Sequence, residues 1–215
     1  MYDAWAIVNS MGSTYLIGNS VNDFMSEFEN FSNTDSDQLN EKNSISYAAY
    51  RLILHRFSNS PGSDRIIAMA NELMNMLDLD INYFESDGYD SISSDLGNYI
   101  AENYIAYGLI DGSNEQSDYI NQYYQPANEP LAPIFSGNSS ISNPNRWQPL
   151  SLDVFVDQSG NVLSETTPEF LGAEWGNVWP FGLNDEDLIE FERDGNTYNV
   201  YHDPGVPPLI DENED

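Results

Sequence analysis

Apolar residues recur at helical spacing three times in the first half of the chain. Over about Asn40 to Phe57, Ile45, Ala48, Ala49 and Leu52 fall at i, i+3, i+4 and i+7, which predicts a helix. Tyr47, Tyr50, Leu54 and Phe57 lie on the other flank, so this helix is apolar on two sides and is expected to be buried between neighbours. The turn SPGSDR follows, with Ser63 as the expected N-cap of a helix over about Asp64 to Leu77. Its stripe of Ile66, Met69, Ala70, Leu73, Met74 and Leu77 is the cleanest amphipathic pattern in the chain. A third helix is predicted from about Ser93 to Ile110, with Leu96, Tyr99, Ile100, Asn103 and Tyr107 on one face and Asp111-Gly112 as its stop. Residues 1–8 also read as helix, and a shorter one is expected around Glu115 to Tyr124. Between the helix at residues 1–8 and the one from about Asn40, residues 10–39 read as a long exposed connection with Phe24, Phe28 and Phe31 as anchors.

From Pro126 onward the pattern changes. All but one of the eleven prolines lie there, and period-2 alternation replaces the helical repeat. Leu152, Val154 and Val156 alternate before a turn at Gln158-Ser159-Gly160-Asn161, and FERDGNTYNVY repeats the arrangement around Asp194-Gly195-Asn196. Such turns between alternating runs predict hairpins. The expected fold is mainly α: a helical-bundle half, residues 1–125, followed by a proline-rich, loop-rich segment with two small β-hairpins, residues 126–215.

Charge then narrows the function. Asp and Glu number 36 against 6 Lys and Arg, a net charge of −30. Nucleic-acid affinity comes from cations that neutralise phosphates, so a nucleic-acid partner is not expected. Anionic membranes are disfavoured for the same reason, and the apolar runs fall far short of the ~20 residues of a membrane span. The acidic surface could be simply solvated or could associate with Ca²⁺, although DLDINYFESDG places Tyr83 where an EF-hand loop needs glycine. Cysteine is absent, which removes disulfides and thiolate chemistry.

Candidate catalytic groups are few. The two histidines are His55, one turn after Arg51, and His202, directly before Asp203. Neither sits in a Gly-x-Ser-x-Gly or HExxH pattern, and both read as structural: one in a helix interface, the other in a loop before Pro204. Phosphate-binding Gly-rich loops are missing. Trp147, Trp175 and Trp179 could form a sugar platform, but read more simply as packing groups in a region poor in aliphatic residues. No residue is therefore assigned a catalytic, cofactor-binding or metal-binding role.

Three segments carry a resemblance: NRWQPLSLDVFVDQSGNV (145–162), TPEFLGAEWGNVWPFGL (167–183) and ERDGNTYNVYHDPGVPP (192–208). Together with MYDAW (1–5), ISYAAYRLILHRF (45–57) and YIAYGLIDGSNE (104–115), they make the chain similar to bacterial vanadium-dependent haloperoxidases. That family is related in fold to type 2 phosphatidic acid phosphatases. The resemblance implies a helical enzyme in which vanadate, bound to a histidine and neutralised by lysine and arginine, lets peroxide oxidise halide. The family's pocket is marked by Lys-x6-Arg-Pro, Pro-Ser-Gly-His and Ser-Arg-x3-Gly-x-His. Here the single lysine, Lys42, has Ala49 seven residues on, and Ser136-Gly137 and Ser159-Gly160 are each followed by Asn. The expectation is an N-terminal structural part, inactive alone, whose partner is a catalytic C-terminal bundle holding the vanadate. A phosphatase of the same fold and an acidic, calcium-associated binding module are the alternatives. The protein is expected to be secreted or periplasmic, with no signal peptide in this chain, and the two-sided helix to leave an exposed apolar patch.

Overall fold

A computed structural model describes residues 1–134, 141–156, 160–164, 167–193, 195–203, 205 and 208–210. The chain divides into two compact units, Met1–Asp118 and Tyr119–Asp215. Four helices and three two-stranded antiparallel sheets account for 35% and 10% of the structure, so the architecture is mixed and partly loop-rich rather than plainly α.

In the first unit, helix α1 (Tyr2–Asn9), hairpin β1–β2 (Ser20–Val21 and Phe24–Met25) and helices α2 (Asp37–Phe57), α3 (Ser63–Met76) and α4 (Ser93–Gly108) follow in order. Helix α2 begins three residues before the apolar pattern does. Ser36 caps it by accepting the Leu39 N–H, and Asp37 in its first turn with Arg56 in its last complement the helix dipole. Helices α2 and α4 pack closely because Gly97 faces α2: a Cβ there would lie 2.6 Å from the Ser44 carbonyl oxygen and 2.7 Å from Tyr47 Cβ. Ala4, Ile17, Ala48, Leu96 and Ile100 form the core at this crossing. A second cluster joins Tyr47 and Tyr50 to Met74 of α3, with Leu79, Ile81 and Tyr83 from the following loop.

Four expectations are corrected. Residues 10–39 are not merely an exposed connection, since Leu16 and Ile17 are fully buried. The reason lies in Asp3, itself buried, whose carboxylate accepts the backbone N–H groups of Tyr15, Leu16 and Ile17 at 2.7–3.1 Å. Ser63 is the first residue of α3 rather than its cap; Gly62, at φ 78°, occupies the N-cap position. The α3 stripe is buried only at Met74, while Met69 and Leu73 are 60% and 56% exposed. Helix α3 packs mainly on α2, and one line of contact is narrower than its apolar face. Finally, Glu115 to Tyr124 forms a single 3₁₀ turn, Glu115–Ser117, because Asp118 and Tyr119 both turn to positive φ. Helix α2 is largely covered: Tyr47, Ala48 and Tyr50 are buried, and Phe57 at its end is 44% exposed.

The second unit contains hairpins β3–β4 (Phe155–Val156 and Val162–Leu163) and β5–β6 (Ile189–Arg193 and Asn196–Val200). The latter pairs from Ile189↔Val200 to Arg193↔Asn196. Turn residues Gln158, Ser159 and Asp194 lie outside the described residues, as do Ser136-Gly137 and Pro204. Only Asn128 and Pro149 are buried among this unit's described residues. Side-chain-to-backbone bonds take the place of an apolar core. Asn128 accepts the Ser142 and Asn143 N–H groups and donates to the carbonyls of Asn143 and Arg146. Glu174 accepts three consecutive N–H groups, those of Gln122, Tyr123 and Tyr124.

Candidate functional site

The helical unit concentrates its basic chemistry at the C-terminal end of α2. His55 Nε2 lies 2.8 Å from Glu115 Oε1, and Arg56 Nη2 lies 3.2 Å from Glu115 Oε2. The arginine contact is close enough for charge pairing but out of line for a hydrogen bond. Gly108 makes room for this group, since a Cβ there would fall 2.5 Å from Arg56 Nη2. A histidine oriented by a carboxylate is part of a hydrolase triad, which also needs a nucleophile on the ring. The serine bonded to His55, Ser58, instead reaches its backbone carbonyl. The arrangement therefore works as an ionic lock between α2 and the turn after α4.

One turn earlier, Arg51 is 9% exposed. Its Nε donates to Asn98 Oδ1 at 3.1 Å, and its terminal nitrogens donate to the carbonyls of Ile81 and Tyr83. The Phe84 ring lies 3.5 Å from the guanidinium carbon. Burial draws the Arg51 pKa down, partly offset by Tyr50, Tyr47 and Asp80.

In the loop unit, Trp147 packs with Phe170 and Tyr124 at ring-centre distances of 5.0 and 6.5 Å. Cavities of about 160 and 360 Å³ share Tyr124, Gln125, Trp147 and Phe170. Trp175 is 70% exposed, and Trp179 is half-buried. His202 is exposed, and the Asp203 beside it turns its Oδ1 to Arg193, 3.2 Å away. His202 and Asp203 thus do not form a working pair.

The vanadate site implied by the resemblance calls for a histidine among converging cations that bond the oxyanion. Four of this chain's six Lys and Arg side chains are instead committed separately: Lys42 to the Leu77 carbonyl, Arg51 to Asn98 and two carbonyls, Arg56 to Glu115 and Arg193 to Asp203. The Glu115 carboxylate beside His55 would repel an oxyanion. These residues do not fit vanadate. Nor, among the described residues, does any group of three or more His, Asp or Glu side chains stand ready to hold a metal ion.

Sequence reasoning passed over Asp3, Arg51, Glu115 and Glu174. Nothing in the local pattern marks an acid as the acceptor of distant backbone groups. For Arg51 there was a signal: a lone arginine in the middle of a helix apolar on both flanks has to be buried. No described helix is long and apolar enough to cross a membrane. No family profile, curated protein or solved structure matches the chain.

Proposed function

We propose that the chain is the N-terminal, non-catalytic part of a vanadium-dependent haloperoxidase-like protein. On this reading the first unit is a piece of a mainly α bundle, and the second is the loop-and-hairpin segment that follows it. One observation supports it above the rest. Asn145 donates to the Ile210 carbonyl at 3.1 Å and accepts the Ile210 N–H at 2.7 Å. Asn145 opens the NRWQPL segment, and Ile210 lies two residues past the HDPG-x-PP stretch. The first residue of one specific segment is therefore bonded to a residue that follows the other. The separation of the cations agrees with a part that supplies structure while a distinct bundle holds the vanadate.

The test joins sequence and assay. The reading frame after Asp215 should encode Lys-x6-Arg-Pro and Pro-Ser-Gly-His, and its absence there would sink the proposal. The chain alone, given orthovanadate, peroxide and bromide, should not brominate phenol red, whereas the extended protein should. Phosphoester cleavage without bromination by the extended protein would favour a phosphatase instead. Cell fractionation checks the accompanying proposal of a secreted or periplasmic location.

A further inference from the structure

The Arg51 guanidinium is the anomaly of the first unit. The chain has 36 carboxylates, yet the acceptors on Arg51 are all neutral: one side-chain amide and two backbone carbonyls. Burying a cation with no carboxylate bonded to it is costly, and a carboxylate in direct contact is the usual remedy; here Asp80 acts only through its charge. A guanidinium carries five N–H groups, of which these bonds use three. Two remain, one on each terminal nitrogen.

Arg51 also lines a cavity of about 270 Å³. The other walls are Leu54 of α2, Phe84 from the loop above, and Asn98, Ala101 and Ile105 of α4. Asn98 is fully engaged, accepting from Arg51 and donating to the carbonyls of Tyr83 and Glu85. It fixes the guanidinium and leaves the cation as the cavity's polar anchor, with aliphatic and aromatic walls around it. Glu102 stands at the same cavity and accepts from Ser86 Oγ at 3.1 Å.

We infer that this cavity binds a small monocarboxylic acid, its carboxylate on Arg51 and its apolar body between Leu54, Phe84 and Ile105. A carboxylate matches the fork geometry of a guanidinium and accepts the N–H groups left over. The apolar walls select an organic acid over a bare oxyanion. The volume lies below the ~300–1,000 Å³ of drug-sized sites, which limits the body to about the size of a phenyl ring. The Glu102 carboxylate at the cavity wall opposes negative charge, so the ligand carries no more than the one carboxylate that Arg51 neutralises. This site is independent of the haloperoxidase reading, and it would stand or fall alone.

The probe is sodium benzoate, titrated into the 215-residue chain and followed by ¹H–¹⁵N spectra. Benzamide serves as the uncharged isostere and inorganic phosphate as the bare anion. Benzoate should shift the signals of Leu54, Phe84, Ala101 and Ile105 saturably, benzamide should bind at least about tenfold more weakly, and phosphate should leave these signals unmoved. Arg51→Gln should lose benzoate binding. Because that change also loosens the 81–85 loop, Ile105→Trp provides a second arm: it keeps the cation, fills the cavity and should abolish binding. Absence of saturable shifts, equal binding of benzamide, or unchanged benzoate binding in Ile105→Trp would each overturn the assignment.

Discussion

The Tyr104 hydroxyl donates to the Asp3 carboxylate at 3.2 Å across 101 residues of sequence. This contact joins the first helix of the chain to the last helix of the first unit. The same carboxylate gathers the N–H groups of Tyr15, Leu16 and Ile17, so one side chain fixes α1, the loop after it and α4 together. Hydrogen bonds to charged groups contribute about 1.5–3 kcal/mol each, and losing a buried acceptor strands its donors. Asp3→Asn should cost about 3 kcal/mol in urea denaturation, and Tyr104→Phe about 1 kcal/mol. Equal, small losses from both would show that the carboxylate is not the organiser.

Gly97→Ala tests the α2–α4 crossing. The added methyl meets the Ser44 carbonyl and the Ala48 backbone nitrogen, neither of which can move aside without shifting α2. Overpacking of this kind costs about 1–3 kcal/mol, more than the small gain in helix propensity. A lowered midpoint with unchanged slope in urea is the expected result, and a stabilised variant would contradict the close packing.

Alkaline pH should unfold the first unit before most proteins would yield. The Tyr83 pKa is raised to about 12 by its hydrogen bond to Asp95 and by burial. Burial, followed by a hydrogen bond and charge coupling to Tyr107, raises that of Tyr15 to about 12. Burial and Asp3 push Tyr104 higher still. Each folded-state pKa lies above the unfolded value near 10, so the stability they contribute is intact below about pH 10 and falls as pH rises through 10–12. Absorbance near 295 nm should show late tyrosines titrating together with loss of helical circular dichroism. Independent, reversible titration of every tyrosine without unfolding would refute this.

Glu174→Gln should loosen residues 121–124 in the second unit. Some desolvation acts to raise the Glu174 pKa, but the three N–H groups together outweigh it and hold the carboxyl below its ordinary value. The sign follows: its contribution is present above the unfolded pKa near 4.5 and is lost as pH falls below it. Hydrogen exchange of the Gln122, Tyr123 and Tyr124 amides should speed up in the variant at neutral pH, and in the wild type on acidification. Exchange in the variant matching the wild type at neutral pH would exclude the anchor.

Leu73→Lys separates two readings of α3. From sequence, Leu73 belongs to the apolar face of an amphipathic helix, and were that face covered such a change would cost several kcal/mol; in the structure it is 56% exposed. The expected cost is therefore within about 0.5 kcal/mol by thermal or urea denaturation.

These comparisons show where sequence was informative. Helices α2, α3 and α4 were legible because i, i+3, i+4 spacing is a local property, and so were the hairpins, where alternation flanks Gly160 and Asp194-Gly195. How much of a helix is covered was not legible, since α3 has one main helical neighbour. The order within residues 10–39 was also hidden, because it depends on a carboxylate at position 3 rather than on any pattern in the loop. The pairing of His55 with Glu115 and the neutral acceptors around Arg51 became visible only once the helices were packed.

The Asn145–Ile210 pair has a thermodynamic meaning of its own. It closes a loop of 65 residues, and closing a flexible loop of that length costs about 4 kcal/mol in chain entropy. Two amide bonds return only about 2 kcal/mol. The pair can form only when the turns, hairpins and side-chain anchors between its ends have already shortened the effective loop. The Ile210 amide is thus a gauge of the unit's cumulative order, and it should be among the first to lose exchange protection when any one of those anchors is cut.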